Sequence, residues 1–380
     1  MRIAFLSTFY PYRGGIAQFN ARLYRALARQ HEVTAWNFTR QYPDFLFPGT
    51  TQYVTPQDKA DPVESVRILD SVNPFTWRKT ARAILTKKPD VAVFGYWMSY
   101  FAVSLTPVAR LLRRKGVKVV TVVHNAIPHE PKFFDKPLAR RFFRHSDLLV
   151  SMCDAVTDDI RSLCPAARIV QRPHPVYDHF GEKQDRLAAC KALNLDPQRR
   201  TLLFFGLIRD YKGLDLLIDA LPQLGPDYQL VIAGESYGSF EKYETQIAAT
   251  GCADRIKVFN RYIDDEEVPA FFSAADVCVL PYKSATQSGI TAIALHFDLP
   301  LVATPVGGLA ESIEKPGIGV MTDGISAESV AAAIRRFYEE GPDSFTARIR
   351  EAKKNMTWEA FGEAMLAFVQ NELFLRKNQN

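Results

Sequence analysis

The segment Thr201–Gly213, TLLFFGLIRDYKG, constrains the fold more than any other part of the chain. Its opening residues are apolar without alternation, so a strand built from them needs cover on both faces, as in a parallel sheet flanked by helices. Gly206 ends that strand, a short basic loop carries Arg209 and Lys212, and Gly213 opens an amphipathic helix, LDLLIDALPQL. At the carboxyl end of such a strand the first helical amides lack intrahelical partners, and here two cations stand beside them. A diphosphate suits that position. Taken alone, a basic pair reads as solvated loop charge, and the surrounding pattern has to decide.

That pattern is repeated along the chain. RIAFLS, HEVTAWNF, DVAVFGY and KVVTVVHN read as strands, separated by helices over Ile16–Arg29, around Trp77–Thr86 and from Tyr100 through Leu112; a long polar passage, 41–74, intervenes. After a Pro- and His-containing stretch near His174–Arg200 the alternation restarts with TLLFFG, QLVIAG, RIKVFN, VCVLPY, PLVAT and GVMT, with helices such as Phe240–Ala249, Glu267–Ala274 and Ser326–Glu339 between them. Strand–helix alternation of this kind predicts an α/β protein of two doubly wound, Rossmann-like domains, with ligands beyond the carboxyl ends of the strands and a cleft where the two sheets face each other. The expected domains are 1–178, 179–356 and a C-terminal helix within 357–380 that crosses back to the first. Its apolar positions Trp358, Phe361, Met365, Phe368 and Val369 fall close to helical spacing.

Charge is unevenly spread. Residues 1–180 hold 26 Lys and Arg against 14 Asp and Glu, whereas residues 181–380 hold 21 against 28. A basic half suits an anionic partner, and with no zinc-finger spacing, ribonucleoprotein motif or basic zipper the expected partner is an anionic membrane surface and no nucleic acid. FFDKPLARRFFR, on a helix beginning near Pro137, interleaves Phe133, Phe134, Leu138, Phe142 and Phe143 with Lys136, Arg140, Arg141 and Arg144. That pattern fits either an interfacial helix or an ordinary helix with its Phe side chains in the core. The five cysteines are scattered, without metal-ligand spacing, and read as reduced thiols. Met1 leads directly into a strand and no apolar run nears the ~20 residues a bilayer needs, so the expectation is a cytoplasmic protein, peripheral at most on the inner membrane face.

In the first half, Gly14 and Gly15 follow the first strand and permit close backbone approach to a ligand, or simply a tight turn at positive φ. His124 ends an apolar run and either donates to a substrate hydroxyl or carbonyl or sits satisfied in the core. His129 and Glu130 could join it. In the second half, Thr286-Gln287-Ser288-Gly289 marks a helix start whose amides and hydroxyls can meet phosphate or sugar, with Ser288 as an ordinary cap in the plainer reading.

Gly206, Lys212 and Gly213, then LPYKSATQSGITAIALHFDLPLVATPVGGLAE over Leu280–Glu311, and in the first half PYRGGIAQ with the strand-end His124, together resemble the family 4, or group 1, glycosyltransferases of the GT-B fold. The resemblance covers almost the whole chain. It implies a retaining transfer of a sugar from a nucleotide-sugar donor to a glycan or lipid-linked acceptor in polysaccharide biosynthesis. The implied catalytic set is Gly15, His124, Arg209 and Lys212. The implied donor-binding set is Gly14, Gly206, Arg209, Lys212, Tyr262, Ile263, Gln287, Ser288 and Gly289, with the nucleotide base near Arg261–Ile263. Two departures stand out. Leu207 occupies the place where the family often has Arg, with Arg209 as substitute. The family's Glu-x7-Glu pair is replaced by Ala285 and Ile293, so its carboxylate roles do not carry over.

In this chemistry negative charge grows on the departing nucleotide phosphate, and fixed cations stabilise it more in the transition state than in the ground state. Arg209 and Lys212 suit that role, and no Asp-x-Asp pair stands at a strand end, so the expectation is transfer with neither metal nor cofactor. A nucleotide-sugar epimerase would need cleft carboxylates. A silent nucleotide-sugar-binding or scaffold protein would not need Gly15, His124, Arg209 and Lys212 together.

Overall fold

The computed structural model describes the chain apart from residues 44–50, 55–59, 129–131, 178–179, 286–287 and 378–380, and apart from the side chains of 372–377. It divides into two compact units, Met1–His174 with Thr357–Asn380, and Pro175–Met356. The first break thus falls ahead of the 178/179 boundary the sequence suggests.

In the first unit, strands β1 (Arg2–Leu6), β2 (Glu32–Arg40), β3 (Ser65–Asp70), β4 (Val91–Tyr96), β5 (Lys118–Val123), β6 (Leu148–Ser151) and β7 (Ile169–Gln171) form a parallel sheet ordered β3-β2-β1-β4-β5-β6-β7. Ile3 lies opposite Val33 on one side and Val91 on the other, which fixes the register at the centre. β4 is buried along its whole length, and β5 from Val119 onward, because helices cover both faces. β3 lies inside the passage that reads as polar: it is an edge strand with Val66 47% exposed, so only Leu69 carries a burial signal.

The FFDKPLARRFFR helix spans Asp135–Phe143 and starts two residues earlier than Pro137 suggests, the Asp135 carboxylate accepting from the Lys132 amide at 2.6 Å. Phe142 and Phe143 are core residues, Phe142 stacked on Tyr96 and Phe143 edge-on to it, which corrects the interfacial reading for those two rings. Phe133, just ahead of the helix, is 93% exposed. The final helix, Trp358–Lys377, packs on the Gly15–Ala28 helix. There Gly362 admits Leu27 so closely that a Cβ would lie 3.0 Å from Leu27 Cδ2, Glu359 pairs with Arg29, and Phe19 meets the rings of Trp358 and Phe361.

The second unit carries β8 (Arg200–Phe205), β9 (Tyr228–Ala233), β10 (Ile256–Phe259), β11 (Val277–Leu280), β12 (Leu301–Ala303) and β13 (Gly319–Met321), a parallel sheet ordered β10-β9-β8-β11-β12-β13. β8, at its centre, pairs with β9 and β11, and Thr201–Phe205 are buried. All loops after these strands therefore gather at one end of the sheet. Among the described residues of both units, no helix is long and apolar enough to cross a membrane.

Candidate active site

Each unit presents one set of the residues that the sequence singles out. In the second unit the set is built on the β8 loop. Gly206 holds φ +95, and its amide donates to the Ala233 carbonyl at 2.9 Å, so the chain turns off the sheet beside β9. The loop is then tied to the β9 loop by Ile208, which donates to Glu235 and accepts from Tyr237. Arg209 lies over the Tyr237 ring at 4.2 Å, and Asp210 pairs with Lys242. Gly213 closes the loop at φ +66, so near β11 that a Cβ would stand 1.9 Å from the Pro281 carbonyl oxygen. No other residue fits there.

These constraints carry the Lys212 side chain inward. Lys212 is only 9% exposed; its ammonium lies 5.7 Å from the centre of the Tyr282 ring and next to Gly206, where a Cβ would be 3.3 Å from Nζ. Among the described residues no carboxylate or hydrogen-bond acceptor pairs with that ammonium. Burial, and then the charge of Arg209, push its pKa down to about 8. Cys278 lies beneath it, its thiol pushed up to about 12 by burial. Besides its positive φ, Gly206 is closely packed, since a Cβ would come to 3.0 Å from Ile290 Cδ1 at the start of the next helix and that methyl would have to give way.

Ser288 caps that helix, Gly289–His296, accepting from the Ile290 amide at 3.3 Å, and shares a 3.1 Å hydrogen bond with the Tyr282 hydroxyl. The capping role is thus present, and Gly289 beside it is exposed with open space around its Cα. Gly206, Lys212 and Ser288 are brought together through Tyr282 and Ile290. Gln287 lies outside the described residues, as does Thr286. Tyr262 and Ile263 follow β10, two strands from β8, or about 10 Å across the sheet. Ile263 is buried, which leaves its backbone rather than its side chain for a ligand, while the Tyr262 ring is exposed. Ile293, at one of the positions of the missing carboxylates, is buried in the Gly289–His296 helix.

Tyr282 carries no conspicuous sequence signal beyond its place after the strand-ending Pro281. Yet it forms the wall opposite Lys212, and Thr304 fixes its backbone by donating to its carbonyl at 2.5 Å.

The first unit gathers its set at the carboxyl ends of β1 and β5, which β4 separates. Gly14, at φ +107, precedes the Gly15–Ala28 helix, and both glycines have open space where a Cβ would be. The turn that delivers them is held by two buried asparagines that sequence reasoning passes over. Asn37 accepts from the Phe9 amide and donates to the Phe9 and Tyr10 carbonyls, and Asn20 donates to Ser7 Oγ and the Thr8 carbonyl. His124 is 8% exposed, its amide donating to the Tyr96 carbonyl, its ring edge-on to Phe19 at 4.7 Å. Burial, and then the neighbouring His174, push its pKa down to about 3. The imidazole is therefore neutral, and Nε2 has no hydrogen-bond partner among the described residues. A neutral ring can donate or accept one hydrogen bond to a substrate but is no general acid at neutral pH. His129 and Glu130 lie outside the described residues.

The model of the glycosyl transferases group 1 family matches residues 185–356, and that of the glycosyl transferase 4-like domain matches residues 14–174. The chain belongs to the group 1 glycosyltransferases. Among curated relatives of this glycosyltransferase, the lipopolysaccharide core biosynthesis mannosyltransferase LpsB of Rhizobium meliloti is 28% identical over 269 residues, 66% of this chain and 71% of that protein. The GDP-mannose:glycolipid 4-beta-D-mannosyltransferase of Xanthomonas campestris pv. campestris is 29% identical over 195 residues, 50% of this chain and 51% of its own length, so the match spans about half of that relative. Among solved structures, sucrose-phosphate synthase from Thermosynechococcus elongatus superposes with TM-score 0.73 at 19% identity, covering 99% of this chain and 100% of that one. HepE from Anabaena, in complex with UDP, does so with TM-score 0.72 at 16% identity, covering 98% and 100%. The glycosyltransferase thus has the two-domain, Rossmann-like GT-B fold.

Proposed function

We propose that this glycosyltransferase transfers a sugar from a nucleoside-diphosphate donor, whose diphosphate is taken up at the β8 loop of the second unit, to a glycan or lipid-linked acceptor in glycolipid or polysaccharide assembly. The observation that carries this reading is the buried Lys212 ammonium, for which the described residues supply no anionic partner. A buried cation without a counter-ion is costly, and a diphosphate oxygen at Lys212 would offset that cost while Arg209 neutralises a second charge from the loop. As the bond between the anomeric carbon and the diphosphate oxygen lengthens, negative charge accumulates on the leaving oxygen, where these two cations stabilise it most. With the cations in that role the reaction runs without a divalent metal, and by the family resemblance the anomeric configuration is retained. Gly206 lets the Lys212 ammonium approach the strand end, and Ser288 and the open Gly289 meet the donor from the next helix, with Tyr262 and Ile263 toward the nucleotide. In the first unit the neutral His124 and the open backbone at Gly14 and Gly15 contact the sugar substrates.

Two of the curated relatives are named as mannosyltransferases, which puts GDP-mannose first among donors to be tried. A lipid-linked acceptor also gives a use to the basic first unit, where Phe75 is 89% exposed on a helix, Pro74–Thr86, that carries Arg78, Lys79 and Arg82 and no acidic residue.

The test is thermal stabilisation by UDP, GDP, ADP and their sugar conjugates with and without EDTA, repeated with Lys212→Ala, followed by NMR assignment of the product anomer. A ligand at a hundred times its dissociation constant adds about 2.7 kcal/mol. Stabilisation by one nucleotide class, kept in EDTA and lost in the variant, is the expected result. If no nucleotide stabilises the protein, or Lys212→Ala responds equally, the donor-site assignment fails.

A further inference from the structure

The carboxyl end of the sheet in the second unit carries cations of two kinds. Lys242, at the start of the helix after β9, pairs with Asp210. Lys283, after β11, pairs with Asp215 at 2.6 Å, and Arg261, after β10, donates to Glu267 at 2.7 Å. Each of these three has its charge met by a carboxylate. Arg209 and Lys212 are held differently, each over an aromatic ring: Arg209 lies 4.2 Å from the centre of Tyr237 and Lys212 5.7 Å from that of Tyr282. Among the described residues no carboxylate or hydrogen-bond acceptor engages the Arg209 guanidinium.

Keeping these two cations together is costly. They stand on one short loop, and the charge of Arg209 adds to the burial that disfavours the Lys212 ammonium. Lys212 is buried and cannot move away, whereas Arg209 is only half-buried, and a long side chain repelled by a neighbouring charge swings into water unless something holds it. The Tyr237 ring offsets that repulsion, and its own place is fixed through the backbone. The Tyr237 amide donates to the Ile208 carbonyl at 3.0 Å, Ile208 and Ser236 form an isolated parallel bridge, and the Ser236 amide donates to Asn260 Oδ1 at 3.0 Å. Arg209 and Tyr237 thus leave two tied segments side by side. The ring is 50% exposed, so it buries little against the rest of the unit.

We infer that Tyr237 is a positioning residue for sugar transfer: it holds the Arg209 guanidinium beside Lys212 while leaving its charge and its N–H donors for the diphosphate. The inference rests on the donor site assigned above to the β8 loop. A carboxylate in the place of Tyr237 would hold the arginine at least as firmly, but it would neutralise the charge and occupy the donors that a phosphate needs. A ring face attracts the cation without neutralising it, and modestly enough for a diphosphate to compete. Order imposed on Arg209 before the ligand arrives also removes part of the entropy cost of fixing a rotamer-rich side chain on binding.

The experiment titrates UDP, GDP and ADP by calorimetry into the full wild-type chain and into Tyr237→Phe, Tyr237→Leu, Arg209→Gln and the double variant Arg209→Gln plus Tyr237→Leu, with melting to verify each fold. The expected result is that at least one nucleotide binds the wild type and that Arg209→Gln weakens it about tenfold. Tyr237→Phe, which keeps the ring, stays within about twofold, and Tyr237→Leu, which keeps apolar bulk without a ring, weakens binding about threefold. In the Arg209→Gln background Tyr237→Leu has no further effect, because the ring acts only through the arginine.

Equal weakening by Tyr237→Leu in both backgrounds would mark a merely structural part for the ring and overturn the inference. So would a Leu variant that binds like the wild type, or a Phe variant as weak as Leu. Each of those results leaves the donor site in place, whereas failure of all three nucleotides to bind the wild type refutes the donor site and the inference together. Should Tyr237→Leu fail to fold, Tyr237→Gln in the same two backgrounds gives the same comparison.

Discussion

Replacing Lys212 by methionine should make the protein more stable and unable to hold its donor at the same time. The side chain is buried, and its pKa lies at about 8 against an ordinary 10.5, with burial the main cause. That displacement corresponds to about 3 kcal/mol by which folding disfavours the ammonium. Methionine keeps the length of the stem against Tyr282 and removes the charge. Below pH 8 both folded and unfolded chains carry the proton, so the full penalty applies and the variant gains all of it. Between pH 8 and 10.5 the unfolded chain alone binds the proton, wild-type stability climbs with pH, and the advantage of the variant shrinks to nothing.

Donor binding runs the other way. A bound diphosphate raises the lysine pKa, so affinity is constant below pH 8 and weakens as pH rises beyond it. Thermal melting of both proteins at pH 7 and pH 10, without and with the stabilising nucleotide, reads both effects. At pH 7 the apo variant should melt on the order of 5 °C higher, with no response to nucleotide. An apo variant that melts at or below the wild-type temperature at pH 7 would refute the reasoning, since the ammonium would then carry no penalty for a diphosphate to relieve.

Gly213→Ala puts a Cβ against the Pro281 carbonyl at positive φ and should cost roughly 2–4 kcal/mol by urea denaturation, whereas Gly15→Ala, in open space within a helix, should leave stability within about 1 kcal/mol and lower only transfer activity. Equal activity of Gly15→Ala and wild type would show that no substrate approaches that backbone. Because His124 is neutral down to about pH 3, the pH profile of kcat/KM should lack an inflection between pH 5 and 8 that disappears in His124→Gln. Phe75→Ser should reduce sedimentation with anionic vesicles about threefold or more while leaving melting unchanged, given that Phe75 touches little of its own protein; unchanged sedimentation would remove the Pro74–Thr86 helix from any membrane contact.

What the sequence made legible follows from burial. β5 and β8 stand out as apolar runs because helices cover both their faces, and with them came the doubly wound class and the strand-end positions of His124, Gly206 and Lys212. β3 went unread because an edge strand with Val66 and Arg67 outward has no such run. Phe142 and Phe143 were ambiguous because an arginine-rich helix that buries its aromatic face has the same spacing as one that offers it to lipid; only the packing against Tyr96 distinguishes them. Asn20 and Asn37 shape the turn before Gly14 through hydrogen bonds to backbone distant in sequence, and Tyr282 meets Lys212 only because β8 and β11 are neighbours. Contacts of that kind have no local pattern to read. The replacement of the paired carboxylates by Ala285 and Ile293 was visible, and the buried Ile293 offers no group in their place.

The final helix has a consequence for how the protein is made. Phe19, Leu23 and Leu27 emerge from the ribosome early, but Trp358, Phe361 and Gly362, which cover them, are separated from them by the whole of Pro175–Met356. At roughly 5–20 residues per second that interval lasts on the order of ten seconds or more. The unit begun first is therefore completed last: the second unit is fully synthesised while the first still exposes an apolar helix face. A nascent chain stalled before Trp358 would present that face to chaperones, and a stop codon there would leave it uncovered permanently.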